Sequence, residues 1–226
     1  MADERWVTFD VYGTMIDWRG GIRTELARLW PDEDADGLLE RYHALEPQVE
    51  EGRAIPYREI LAETLARLAS EEGLSVPPGE DGALGDSLPS WRPFPEVPGA
   101  LAELRGRGFR LVPLSNTDPE FLAASFKRIG VPIDGQITAA DAGSYKPAHG
   151  HWERFFERYG ADRDRHVHVA ASLFHDIAPA EEVGLKAVWI NRLGETSDLP
   201  RAAELPDLEA LPETLERLVP PPAASG

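Results

Sequence analysis

Two hydrophobic periodicities divide the chain. Short apolar runs rich in β-branched and aromatic side chains occur at Arg5–Phe9, Phe109–Leu114, Val167–Ala171 and Lys186–Ile190, and a less apolar one at Gln136–Ala140. Runs of this kind, bounded by turn residues, predict buried strands. Helical patterns alternate with them. Leu101 and Leu104 lie on a helix closed by Gly106 and Gly108, and further helices are expected around Phe121–Ile129, at Trp152–Tyr159 and at Ile177–Gly184. Alternation of strand and helix predicts a parallel sheet covered on both faces, an α/β fold.

Between the first two strands the period is helical throughout. Ile22, Leu26 and Leu29 mark one helix ended by Pro31, Leu38, Leu39, Tyr42 and Leu45 a second, and Ile60, Leu61, Thr64, Leu65 and Leu68 one face of a third opened by Pro56. Pro77–Gly85 reads as a loop, and Trp91-Arg92-Pro93-Phe94-Pro95 as a hinge. The expected organisation is a core formed by residues 1–15 and 96–219, a helical cap over 16–95, and a disordered tail at 220–226.

Composition narrows the class. The 226 residues suit one large domain or a core with one insertion. Lys+Arg 23 against Asp+Glu 40 gives a net charge of −17, which disfavours nucleic acid and anionic membranes as partners. No apolar run approaches the ~20 residues of a membrane span. The chain has Cys 0, which removes thiol nucleophiles, disulfides and cysteine-bound metal. The acidic start, Met1-Ala2-Asp3-Glu4, is unlike a signal peptide. A cytoplasmic protein acting on a small molecule is expected.

In an open parallel sheet, ligands bind beyond the carboxyl ends of the strands. The pattern places Asp10 after the first strand, Ser115 and Asn116 after the second, Lys146 in the loop after the third and Asp176 beyond the fourth. Singly, each residue suits a helix cap or a surface charge. Jointly they bring an acid, a hydroxyl, a lysine and a second acid to one edge. Lysine is otherwise present only at Lys127 and Lys186, so a loop lysine here suggests a need for its compact ammonium. The pairs His149-x-His151 and His166-x-His168 lack the companions of a metal site and read as ordinary loop and strand histidines.

Phe9-Asp10-Val11-Tyr12-Gly13-Thr14, Leu114-Ser115-Asn116, Tyr145-Lys146-Pro147 and Ser172 with Asp176-Ile177 resemble the four motifs of the haloacid dehalogenase (HAD) superfamily. The spacing and the helical insertion resemble its L-2-haloacid dehalogenase branch, from about Val7 to Arg192. The resemblance implies a Rossmann-like parallel sheet core with a helical cap inserted after the first strand.

Two reactions compete within that resemblance. Phosphatases of the superfamily carry a second aspartate two residues after the nucleophile, where this chain has Tyr12. A phenol with an ordinary pKa of about 10 is a poor acid near neutrality, and losing general acid catalysis costs ~10²–10⁴ in rate. Their motif-four aspartate, which holds Mg²⁺, corresponds to Ala171. Without that ion the site is ill-equipped for a phosphate dianion. No metal and no cofactor are expected.

Displacement of halide needs neither group, because halide leaves unprotonated and an ionised carboxylate attacks saturated carbon to form an ester. The resemblance implies Asp10 as nucleophile and Lys146 as its counter-ion, an attraction of about 4 kcal/mol at 4 Å and an effective dielectric of 20. It implies Thr14, Ser115 and Asn116 as groups that orient Asp10 or bind the substrate carboxylate, and Asp176 as a helper of the hydrolytic water. Arg41 falls where a cap arginine takes part in halide or carboxylate binding, though a solvated helix-face charge is an equal reading. Tyr12, Tyr57 and Trp152 are candidate pocket walls. Leu173 stands in place of the asparagine that helps place the water, and Ala171 in place of a serine. His175 is then a candidate substitute base, weighed against a structural role.

The expected activity is metal-independent release of halide from a short 2-haloacid through an aspartyl ester on Asp10. The alternatives are a phosphatase of the same fold with altered acid and metal groups, and a catalytically weak binding protein on the same scaffold. The resemblance adds a homodimer as an expectation.

Overall fold

The computed structural model describes residues 3–53 and 55–222; Met1, Ala2 and the end of the expected tail, 223–226, lie outside the described residues. Six strands, β1 (Arg5–Phe9), β2 (Phe109–Ser115), β3 (Ile137–Thr138), β4 (His166–Ala170), β5 (Ala187–Ile190) and β6 (Ala203–Leu205), form one sheet in the order β3-β2-β1-β4-β5-β6. Every pairing is parallel. The chain leaves β1 toward β2 and β3 on one side, then returns to β4 on the other. The crevice between these two directions opens at the carboxyl end of β1, where Asp10 begins.

Alternation along β1 decides what each sheet face buries. Val7 and Phe9 join a cluster with Leu101, Phe109, Val167 and Val188, which continues without a break into Ile22, Leu26, Leu61 and Leu65 of the inserted helices. Trp6 joins the opposite face, with Val112, Leu114, Trp152, Phe155 and Trp189. Period-two patterning buried on both faces requires helices on both sides.

Four helices form the insertion that follows β1: α1 (Trp18–Leu29), α2 (Ala35–Glu50), α3 (Tyr57–Glu71) and α4 (Ala83–Ser87). α1 starts earlier than the apolar spacing suggests because the Asp17 carboxylate accepts from the Gly20 N–H at 2.9 Å. α3 has no cap of its own, since Pro56 precedes it. Its first N–H groups are taken up from outside: Tyr57 N and Arg58 N each donate at 3.0 Å to Asp118, in the loop after β2.

The remaining helices are α5 (Val97–Gly106), α6 (Pro119–Ile129), α7 (Ala139–Ala142), α8 (Gly150–Tyr159), α9 (Ala178–Glu182) and α10 (Leu211–Leu218). The strand expected over Gln136–Ala140 is cut to two residues because Thr138 and Asp141 form a capping box that starts α7. The helix expected over Ile177–Gly184 is present as α9, and a wide π turn at Leu173–Ile177, not expected from the sequence, runs into it. Neither β6 nor α10 was legible in the pattern; β6 is short and only half-buried, while α10 buries Leu211 and Leu215 one turn apart. Among the described residues no helix is long and apolar enough to cross a membrane.

Candidate active site

Asp10 follows β1 directly, its N–H donating to Val169 O at 3.0 Å. Both carboxylate oxygens are engaged. Oδ1 accepts from Lys146 Nζ at 2.9 Å and Oδ2 from the Thr14 hydroxyl at 2.7 Å. Thr14 is itself fixed, because the Ala171 N–H donates to its Oγ1 at 2.8 Å and Arg192 donates to its carbonyl at 2.7 Å. Arg192 in turn pairs with Glu96 at 2.6 Å and lies over the Phe94 ring.

Lys146 has three ammonium hydrogens, and all are used: Asp10 Oδ1, Asp176 Oδ1 at 2.7 Å and Leu114 O at 3.0 Å. Burial alone would lower its pKa; the two adjoining carboxylates reverse this and raise it. Asp176, fully buried, is held well below the usual carboxylate range although burial opposes this, because Lys146 and then His168 stabilise its charge. Its Oδ2 has no partner among the described residues.

A hydrogen-bonded chain supports Asp176 from below. His168 Nε2–H donates to Asp176 Oδ1 at 3.0 Å, and the Thr8 hydroxyl bridges the two histidines, 2.9 Å from His168 Nδ1 and 2.8 Å from His166 Nε2. Burial holds His166 well below the ordinary histidine value. The histidines expected to be incidental strand residues thus orient a site acid. The signal was their two-residue spacing, which put both on the sheet face of Thr8.

The loops carry the other expected residues. Asn116 clamps the Lys146 backbone, its Oδ1 accepting from Lys146 N at 2.7 Å and its Nδ2 donating to Lys146 O at 3.1 Å. Ser115 ends β2, buried, and its carbonyl accepts from His151 Nε2–H at 3.1 Å. Burial lowers His151 to about 3, with Lys146 adding to the effect. Tyr12 turns its hydroxyl to Ser125 on α6 at 3.0 Å. Burial pushes its phenol up to about 12, which makes it a still weaker acid than its sequence position suggests.

Three expectations are corrected. Arg41 is exposed on the outer side of α2 and pairs with Glu72 at 2.9 Å and Glu71 at 3.2 Å, because the next residue, Tyr42, is the one that turns inward. Tyr57 is not an apolar wall, since its hydroxyl donates to Glu46 Oε1 at 2.8 Å. Trp152 is buried on the far sheet face, edge-on to His168, and supports the histidine chain from beneath.

What α2 does place near the strand ends is acidic. Tyr42 donates to Glu46 Oε1 at 3.2 Å, and Glu50, one turn on, lies 3.5 Å from His175 Nε2. At that distance the Glu50–His175 contact is an ion pair rather than a well-formed hydrogen bond. Burial would lower His175, but Glu50 outweighs it and raises the imidazole. Burial, then the Glu50 charge, pushes Glu46 up to about 7. The spacing of Tyr42, Glu46 and Glu50 was readable as one helix face, but neither acid was singled out.

A divalent cation does not fit this donor set. Ala171 offers no side-chain oxygen, the Lys146 ammonium sits between Asp10 and Asp176, and no cluster of three potential ligands exists among the described residues.

Residues 4–184 match the family described as haloacid dehalogenase-like hydrolase. The chain belongs to that family. It is 30% identical over 198 residues to haloacetate dehalogenase H-2 of Moraxella sp. (strain B), covering 85% of this chain and 88% of the relative. It is 26% identical over 220 residues to the (S)-2-haloacid dehalogenase of Pseudomonas sp. (strain YL), covering 90% and 88%. The L-2-haloacid dehalogenase of Xanthobacter autotrophicus, solved with chloropropionic acid covalently bound, superposes with a TM-score of 0.82 at 19% identity, over 94% of this chain and 98% of that one. That likeness establishes the HAD-like α/β fold, and the named relatives are hydrolases of carbon–halide bonds.

Proposed function

We propose that this member of the family is a metal-independent dehalogenase of short 2-haloacids, working through an ester on Asp10. The observation that carries the reading is the Asp10 carboxylate held at both oxygens beside a lysine with no free hydrogen, in a site lacking the phosphatase acid and metal ligand. One Asp10 oxygen attacks the carbon bearing the halogen. The carbon–halogen bond breaks, halide leaves with the electron pair, and no proton is required. Loss of the Asp10 charge leaves Lys146 still balanced by Asp176. Water then attacks the ester carbonyl, leaving its oxygen in Asp10 and releasing the 2-hydroxy acid.

The water is assigned to Asp176 Oδ2, the buried oxygen without a protein partner among the described residues. His175, engaged by Ser172 Oγ at 3.2 Å and by Glu50, links core to insertion instead of acting as the base. The Ser115 hydroxyl and the N–H groups of Asn116 and Thr117, which have no protein acceptor among the described residues, are the strand-end donors for the substrate carboxylate. In this reading the inserted helices serve as the cap and the partner is a halogenated carboxylate.

A single turnover of L-2-chloropropionate in ¹⁸O-water, with chelator present, is expected to release chloride and label the peptide containing Asp10. An unlabelled Asp10, or phosphate release from p-nitrophenyl phosphate that requires Mg²⁺, would reject the assignment.

A further inference from the structure

Arg41, the insertion residue expected to meet the substrate carboxylate, is turned to solvent. The insertion presents Tyr42, Glu46 and Glu50 instead. Their neighbours locate them over the site. Glu50 meets His175, which adjoins Asp176 in the chain. Tyr57 begins α3 on Asp118, just past Ser115, and Tyr145, beside Lys146, donates its hydroxyl to Ile55 O at 2.6 Å. Glu46 lies on the same face of α2 as Tyr42 and Glu50 and is partly exposed.

Charge balance then decides its state. Asp10, Asp176 and Lys146 together carry one net negative charge, and a bound haloacid adds another. On the insertion side two acids, Glu46 and Glu50, share one imidazole, His175. Like-charged carboxyls in one site cannot both remain ionised without cost, and one of them retains a proton. His175 sits on Glu50 and not on Glu46, which leaves the proton on Glu46. The hydroxyls of Tyr42 and Tyr57 both point to Glu46 Oε1, which leaves Oε2, without a partner among the described residues, to bear the hydrogen.

We propose that Glu46, as a neutral carboxylic acid, donates its Oε2 hydrogen to the substrate carboxylate and so takes the part expected of an arginine. The identity of the ligand rests on the dehalogenase reading; the proton-linked carboxylate site does not. The titratable groups facing Glu46 are Tyr42 and Glu50 from α2, Tyr57 from α3, and His175 and Tyr145 from the core. Ionisation of Glu46 replaces a donor by a like charge, so carboxylate binding is present below its pKa of about 7 and is lost as pH rises through it.

The test is calorimetric titration of the full chain with propionate from about pH 6 to about pH 9, in buffers of different ionisation enthalpy. The Kd is expected to rise about tenfold per pH unit above neutrality, with uptake of about one proton per propionate bound at the alkaline end. Propionamide, which is uncharged, should show no such trend. Glu46→Gln, whose amide donates at every pH, should flatten the propionate profile and abolish the proton uptake. A propionate Kd independent of pH, or the wild-type profile persisting in Glu46→Gln, overturns the proposal, and the wild-type proton uptake decides the matter even if the variant folds poorly. Chloride release from chloroacetate, followed separately, tests the underlying reading. Proton-linked binding without chloride release keeps this site and rejects dehalogenation; chloride release with binding indifferent to pH does the reverse.

Discussion

The two sides of the Asp10 crevice are built differently. On the sheet side the polar groups interlock: Lys146 spends every hydrogen, Thr14 is fixed from two directions, and Asp176 stands on a histidine–threonine–histidine chain. On the insertion side Glu46 keeps one oxygen without a partner among the described residues, and the Glu50–His175 contact is long. The first arrangement fixes a charge and its direction; the second leaves protonation responsive to what binds.

The harshest way to break this contrast is to remove the central cation. Lys146→Met leaves two carboxylates, one fully buried, without their counter-charge. A stability loss of about 3–5 kcal/mol is expected in urea unfolding. The acid limb should move too. Because Asp176 has its pKa lowered in the folded chain, its stabilisation is complete above the unfolded value of about 3.9 and is lost as pH falls through the folded one. Without Lys146 that loss should begin at higher pH. A variant as stable as the parent would show that the interlocked side is not held by its ammonium.

A milder change acts where the two sides join. Asp118→Ala removes the cap of α3 and should cost about 1 kcal/mol, with faster hydrogen exchange at Tyr57 and Arg58 than in the rest of the helix. Exchange unchanged at those two amides would mean that α3 does not depend on the core loop. The smallest effect is expected at Arg41. Its Ala variant should keep stability within about 0.5 kcal/mol and substrate KM within about twofold, because it pairs only with exposed acids. A large rise in KM would return Arg41 to the site.

The sheet side was legible from sequence because strand ends are marked by abrupt changes from apolar to polar residues. Asp10, Ser115 and Asn116 sit at such breaks, and Lys146 and Asp176 in the segments that follow β3 and β4. The α2 side was not, since periodicity identifies a helix face without identifying what it meets. Arg41 and Tyr42 differ by one position, about 100° around the helix, and that rotation separates solvent from crevice. The partners that settle it, Glu71 and Glu72, close a different helix. Trp152 was misplaced for a related reason: an aromatic residue near motif loops serves a pocket or a core, and only the pairing of strands shows that His168 lies against it. The π turn at Leu173–Ile177 escaped because one extra residue in a turn leaves no trace in hydrophobic spacing.

The dependence of α3 on Asp118 gives the crevice a built-in latch. Any displacement that lifts the start of α3 from the loop after β2 strips two amide hydrogens of their acceptor in the same movement. Separating these two elements and uncapping the first turn of α3 are therefore a single event.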